Sequence, residues 1–279
     1  MEKSKERLKI LEKISQLEKE KKWDVDVEED PVSKELLPDK IDYLNKKLSS
    51  KIATFFANIA GTKFFENLIK KKQFIIKEVK GLENFTSVKS GAILTCNHFN
   101  VCDNYAVWRT IKPYVGKKDR LYKVIREGNY TNSPPPFGFI LRHCNTLPLS
   151  SNTQTMRKFL KAINVLLTRG EKILVYPEQA MWWNYRKPRP LTPGAFRFAV
   201  ENNVPILPLF ITMNDSEFIG SDGFNIQEYT LHFLPAIYPD SNLNKKDNIE
   251  MLKNKNYEMW KEVYEKTYGI PLEYLPESK

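Results

Sequence analysis

The run Ala92-Ile93-Leu94-Thr95-Cys96-Asn97-His98-Phe99-Asn100-Val101-Cys102-Asp103-Asn104 passes from an apolar strand, through a turn that carries a histidine, into the start of a helix. The strand ends at Cys96, and His98 sits in the turn five residues before Asp103. Side chains five apart in one regular helix diverge by about 140°, so this pair shares no helix face. With His98 just outside the helix and Asp103 in its first turns, the carboxylate can reach the imidazole instead. A carboxylate so placed fixes the tautomer and supports the charge that builds as the histidine takes a proton. The same residues also read as a histidine at a helix start beside a solvated aspartate, since two-residue motifs arise often by chance. Asn100 is available to cap the helix.

Outward from this run the texture is α/β. Strand-like segments fall at 74–79, 92–96, 121–125, 173–176, 206–212 and 229–233, with helix-like segments at 105–111, 155–168 and 195–202 between them. Alternation of this kind predicts one domain built on a mixed, largely parallel sheet covered by helices. A last helix, rich in Lys, Tyr and Trp, is expected over 248–268.

Upstream, residues 2–22 read as a charged helix in which Ile10, Ile14 and Leu17 form a thin stripe, consistent with a solvated face. An acidic patch (Asp24, Asp26, Glu28, Glu29, Asp30) follows and Pro31 closes it, so residues 1–38 are expected to be a charged helical extension. Residues 39–73 are expected to form basic amphipathic helices. Nine lysines lie between Lys46 and Lys80 against only Glu66 and Glu78, and this segment carries most of the net charge. Leu48, Ile52, Phe55, Phe56 and Ile59 keep helical spacing, Gly61 breaks it, and Phe64, Phe65, Leu68 and Ile69 restart it, which predicts two short helices. Phe-rich faces with lysine flanks suit a bilayer interface, and they equally suit a helical hairpin packed on the main domain.

The chain has 279 residues, 41% hydrophobic and 28% charged, enough for one large domain or two small ones and too apolar for disorder. A net charge of +10 points to an anionic partner: nucleic acid, a membrane surface or an acidic substrate. Cys96, Cys102 and Cys144 make no C-x-x-C pair, which argues against a zinc ribbon or a disulfide framework and fits a reducing compartment. No export signal and no spanning helix are readable.

In order, the segment His98-Phe-Asn-Val-Cys-Asp103 resembles the H-x-x-x-x-D signature of the glycerolipid acyltransferases, a family that includes the glycerol-phosphate and lysophosphatidic acid acyltransferases. Phe137-Gly138-Phe139-Ile140-Leu141-Arg142 with Leu147-Pro148-Leu149 resembles that family's second block. Tyr176-Pro177-Glu178 resembles the opening of its F-P-E-G-T-R-S third block, and Val204-Pro205-Ile206-Leu207-Pro208 its fourth. Val79-x-Gly81 and Gly194 also fall where the family has them, and the resemblance spans roughly residues 75–240. Gln179, Ala180 and Met181 replace the glycine, threonine and arginine of the third block, and Ser150 or Ser151 falls at the second-block arginine. Those two arginines are the ones the family is thought to use for the acceptor's phosphate.

The resemblance implies a glycerol-phosphate acyltransferase-like α/β domain over 74–279. It implies transfer of a fatty acyl group from acyl-CoA or acyl carrier protein to a hydroxyl of a lysophospholipid such as 1-acyl-glycerol-3-phosphate, in phospholipid biosynthesis. His98 would be the general base and Asp103 its orienting partner. Glu178 would help set the acceptor or the site, and Arg126 and Arg142 are the substitute cations for the acceptor. Arg186, Lys187 and Arg189 form a further basic loop, and Lys123 reads as solvent-facing. Trp182 and Trp183 read as packing, Cys102 as an inert thiol, and His143 and His232 as structural. No bound cofactor or metal is expected; the thioester is a co-substrate. The expected location is cytoplasmic, peripheral on an anionic inner membrane face, without nucleic acid. The alternatives are an acyltransferase for a glycolipid or other non-phosphate hydroxyl, and a non-enzymatic basic membrane- or nucleic-acid-binding protein.

Overall fold

A computed structural model describes residues 2–28, 33–116 and 120–276. Glu29, Asp30 and Pro31 of the acidic patch lie outside the described residues. The strands are β1 (Ile75–Lys80), β2 (Ala92–Thr95), β3 (Leu121–Ile125), β4 (Thr146–Pro148), β5 (Lys172–Val175), β6 (Ile206–Ile219) and β7 (Asn225–Phe233). They form a sheet ordered β1-β7-β6-β2-β5-β3-β4. Among the described residues, β6 and β7 are the only strands that pair antiparallel; the other strand pairs are parallel.

β2 sits at the centre, with Ala92–Thr95 facing Lys172–Val175 on one side and Ile93–Thr95 facing Ile206–Pro208 on the other. All four of its residues are buried, as a parallel strand covered on both faces requires. One face carries Phe85 from α3 (Leu82–Ser87) and Tyr105, Ala106, Val107 and Ile111 from α4 (Asp103–Ile111). The other carries Phe159, Ala162, Ile163 and Leu166 from α7 (Thr153–Thr168) and Phe196 and Ala199 from α8 (Gly194–Asn202). The last helix, α9 (Lys245–Tyr268), adds Leu252 to that second face and sets Trp260 against Phe210. Gly81 joins β1 to α3 at φ 68°, and a Cβ there would lie 2.1 Å from the Phe233 carbonyl oxygen, so only glycine fits.

The sequence reading and the structure part at three places. β4, inside the second block, is a strand of three residues ending in Pro148; so short an edge strand leaves no periodicity to read. The 46–80 segment forms one helix, α2 (Leu48–Lys70), rather than two. Gly61 does not break it: it is buried where α2 packs against α6 (Phe137–His143), with Cys144 Sγ and Ile140 nearby. The buried positions of α2 are Ala57 and Gly61; Phe65, Leu68 and Ile69 pack partly buried on the core, while Leu48, Ile52, Phe55, Phe56 and Ile59 are exposed.

The third difference is the N-terminal extension. In α1 (Lys5–Lys19) the stripe Ile10, Ile14 and Leu17 is buried against Ala180, Trp182 and Trp183 instead of facing solvent. The chain beyond α1 then runs over loops that follow β5, β3 and β4. Val25 carbonyl accepts from Trp182 Nε1 at 2.9 Å, Asp26 pairs with Arg126, and Leu36 carbonyl accepts from Ser150 Oγ at 3.1 Å.

Candidate active site

The parallel strands β2, β5 and β3 end on one edge of the sheet, and in such sheets the carboxyl ends of the strands border the ligand crevice. Just past β2, Asn97 holds the turn to β6. Its Nδ2 donates to Ile211 carbonyl at 3.0 Å and its Oδ1 accepts from Ile211 N–H at 2.9 Å, continuing the ladder with a side chain. His98 follows, with about a fifth of its side chain exposed (21%).

His98 Nδ1 lies 2.7 Å from Asp103 Oδ2, so the sequence pair is brought together. Asp103 is the first residue of α4 and is wholly buried. Its Oδ2 also accepts from the backbone N–H of Phe99 at 3.3 Å and of Asn100 at 3.4 Å. Its Oδ1 accepts from Tyr176 O–H at 2.6 Å. Four donors and a helix N-terminus offset the cost of burying this carboxylate. An ionised carboxylate only accepts, so Nδ1 carries the hydrogen and the lone pair of the neutral ring sits on Nε2. Asn100 does not cap α4 at its first turn; its Oδ1 accepts from Cys102 N–H at 3.0 Å, shaping the turn that leads into it.

The imidazole stacks on the Tyr176 ring, with centroids 4.0 Å apart and planes 17° apart. Burial and the adjacent Asp103 hold the Tyr176 phenol well above its usual range, so it stays a donor. Burial, with Asp103 adding to it, pushes the Cys102 thiol up to about 12, which leaves it protonated.

The backbone of His98 is gripped by the third motif. Its N–H donates to Glu178 Oε2 at 3.1 Å, and its carbonyl accepts from Trp182 N–H at 3.1 Å and Arg189 Nη2 at 3.4 Å. Glu178 also accepts from Arg189 N–H at 2.8 Å and pairs with Arg189 Nη2 at 3.0 Å. The guanidinium lies over the Trp182 ring, 4.7 Å from its centroid, and Nη1 donates to Trp23 carbonyl at 2.8 Å. Gln179, where the family has glycine, keeps the left-handed backbone at φ 65°.

The two substitute cations are placed apart from this pair. Arg126 follows β3, separated from β2 by β5, and its guanidinium pairs with Asp26. Arg142 is on α6, where Nη1 donates to the carbonyls of Tyr130 and Ser133 at 3.3 Å each. It lines a polar cavity of about 180 Å³ with Asp42, Lys47, Tyr130 and His143, and neither His98 nor Asp103 borders that cavity. Gly138 lets α6 start beneath it, since a Cβ there would lie 2.0 Å from Ser133 carbonyl oxygen. Ser150, one of the two serines at the second-block arginine position, donates to Glu127 Oε1 at 2.8 Å as well as to the Leu36 carbonyl. Lys123 does not face open solvent: it is half-buried, and burial lowers its ammonium below the usual lysine range. Among the described residues, no three His, Cys, Asp or Glu side chains are grouped to hold a metal ion.

Two residues of this site escape the sequence reading. Arg189 reads as part of an exposed basic loop, although its position between Pro188 and Pro190 marks a constrained segment. Tyr176 reads as a member of the third motif, and the signal for its role is the hydroxyl that phenylalanine lacks.

Residues 77–212, which contain every residue of this site except those of the N-terminal extension, match the family model described as Acyltransferase. The chain carries an acyltransferase domain. His98, Asp103 and Glu178 lie within the matched region. Among solved structures, the acyltransferase is similar to the 1-acyl-sn-glycerophosphate acyltransferase PlsC from Thermotoga maritima. The similarity covers 75% of this chain and 79% of that one, at 20% identity and a TM-score of 0.45. Nothing matches among the curated proteins.

Proposed function

We propose that this acyltransferase moves a fatty acyl group from an acyl-CoA or acyl carrier protein thioester to a hydroxyl of a lysophospholipid such as 1-acyl-glycerol-3-phosphate. The observation that carries the reading is the 2.7 Å contact between His98 Nδ1 and Asp103 Oδ2. It leaves Nε2 as the base. In the reaction Nε2 takes the acceptor hydroxyl proton as the oxygen attacks the thioester carbonyl. The new C–O bond forms, the C–S bond breaks, and the proton passes from Nε2 to the departing sulfur. Asp103 offsets the imidazolium charge in between. General base action of this kind is worth about 10²–10⁴-fold. Glu178 acts through the His98 backbone and Arg189, holding the base in place instead of touching the acceptor.

Arg126 is the cation for an acceptor phosphate, with the phosphate taking the place of Asp26. That pair is partly exposed, and such pairs are worth about 0–1 kcal/mol, so a dianion can displace the carboxylate. The same pairing favours a second reading, in which Arg126 stays with Asp26 and the acceptor is a glycolipid or other hydroxyl without phosphate.

No helix of the described residues is long and apolar enough to cross a membrane. The acyltransferase instead rests on an anionic bilayer through α2, as a peripheral protein of the cytoplasmic face. Phe55 and Phe56 are 62% and 57% exposed, and Leu48, Ile52 and Ile59 are exposed along the same helix. Phe137 is exposed too and packs edge-on against Phe64, with ring centroids 5.4 Å apart, which extends the patch onto α6. A contiguous apolar surface with lysine flanks is the signature of an interfacial helix. The test is a screen of lysophospholipid and glycolipid acceptors with acyl-CoA and acyl carrier protein donors, read by mass spectrometry. Acylated lysophospholipid is expected; acylation of glycolipids alone would move the enzyme to the second reading, and no product with any pair would reject both.

A further inference from the structure

Tyr176 stands where the family's third block opens with phenylalanine. Its ring covers the His98 imidazole at 4.0 Å, and a phenylalanine would fill that place equally well. The hydroxyl is the addition. It donates at 2.6 Å to Asp103 Oδ1, while Oδ2 is the oxygen that meets His98. One side chain therefore touches both members of the pair, the base by its face and the carboxylate by its hydroxyl.

We propose that Tyr176 is a positioning residue for the acyl transfer: its hydroxyl fixes the rotation of Asp103 and withdraws charge from the carboxylate, and so sets how strongly His98 binds a proton. The inference rests on the acyl-transfer reading above. An aspartate has a broad, two-fold preference about its last torsion, so a donor on one oxygen decides which way the other points. A hydrogen bond to Oδ1 also spreads the carboxylate's charge away from Oδ2. Less charge at Oδ2 means less support for an imidazolium, and a base that releases its proton more readily to the leaving sulfur.

The N–H groups of Phe99 and Asn100 also donate to Asp103, but to Oδ2 and at the longer distances of 3.3 and 3.4 Å, whereas Tyr176 meets Oδ1. Glu178 and Arg189 face the His98 backbone and pair with each other. Cys96, Cys102 and Tyr229 lie close to Asp103, and burial holds all three above their usual ranges, so they stay neutral in an ordinary assay. Tyr176 is held protonated in the same way, by burial and by Asp103 itself. It donates across the working pH range.

The test is Tyr176→Phe, which keeps the stacked ring and removes only the hydroxyl. The chain has three histidines, so the His98 imidazole can be followed by NMR titration and assigned with His98→Ala. The titration midpoint of His98 should rise by about half to one pH unit in Tyr176→Phe. The acid limb of kcat/KM should move up by the same amount, with KM for the acceptor unchanged. In an Asp103→Asn background the same change should move neither. A midpoint that stays put or falls in folded Tyr176→Phe overturns the proposal, whatever happens to the rate. Tyr176→Leu serves as the second variant: the hydroxyl's role predicts the same direction of shift, and a shift absent from both variants rejects it. If the parent transfers no acyl group to any acceptor, the acyl-transfer reading fails, and the NMR midpoint still decides whether Tyr176 tunes His98.

Discussion

Glu178 and Arg189 close an ion pair at 3.0 Å with their side chains 2% and 1% exposed, and both reach the backbone of His98. Cutting one partner of a buried pair strands the other charge and costs about 3–5 kcal/mol. Glu178→Ala should therefore lower stability by about that much in urea melts. Glu178→Met with Arg189→Met should cost much less, because no charge is left unpaired. Equal losses in the single and double variants would show that the pair does not act as a unit.

Arg126 and Asp26 give the acceptor site a competition that kinetics can read. Arg126→Gln should raise the KM for a phosphate-bearing acceptor about ten-fold or more, the scale of a lost hydrogen bond to a charged group. Asp26→Asn should lower it by up to about five-fold, since it removes the carboxylate charge that competes with the phosphate. Acyl-donor KM should stay put in both. If neither change moves the acceptor KM, the non-phosphate reading takes over.

The outward face of α2 allows a clean membrane test, because Phe55 and Phe56 are exposed and their replacement spares the core. Phe55→Asp with Phe56→Asp should weaken binding to anionic vesicles about a hundred-fold or more, from the loss of two buried aromatic side chains. Lys63, Lys70 and Lys71 changed together to Glu should weaken it further, at about 1 kcal/mol for each basic residue near the surface. Vesicle co-sedimentation at several salt concentrations reads both. Binding equal to the parent in the folded variants would remove α2 from the account.

His232 supplies a pH-dependent part of stability. Its Nε2 lies 2.9 Å from Thr212 Oγ1, and burial, then Lys80, lower its pKa from 6.5 to about 4. The folded protein thus keeps this histidine neutral while the unfolded chain protonates it below about 6.5. The contribution is complete above pH 6.5 and is lost as pH falls toward 4. It amounts to about 2 kcal/mol after allowance for partial screening. Denaturant melts between pH 7 and 4 should show the decline, and His232→Gln should flatten part of it.

β2 and the His98–Asp103 spacing were legible because a wholly buried strand writes a continuous apolar run, and because the motif lies within a dozen residues. β4 was not, since three residues ending in proline carry no pattern. Gly61 misled because a glycine inside a helix costs only about 1 kcal/mol, which the packing of α2 on its neighbours can outweigh. Ile10, Ile14 and Leu17 looked too sparse to be a core face, yet the partners that bury them, Trp182 and Trp183, lie far along the chain. Arg189 was illegible for the same reason. Its partners Trp23, His98 and Glu178 come from three separate segments, and no local spacing brings them together.

The most direct test of the account is the rate of acyl transfer from acyl-CoA or acyl carrier protein to a lysophospholipid by purified His98→Ala, beside the parent, with folding checked by thermal melting. The account predicts a fall of about 10²–10⁴-fold in kcat at an unchanged melting temperature. Near-parental turnover in the folded variant would contradict it.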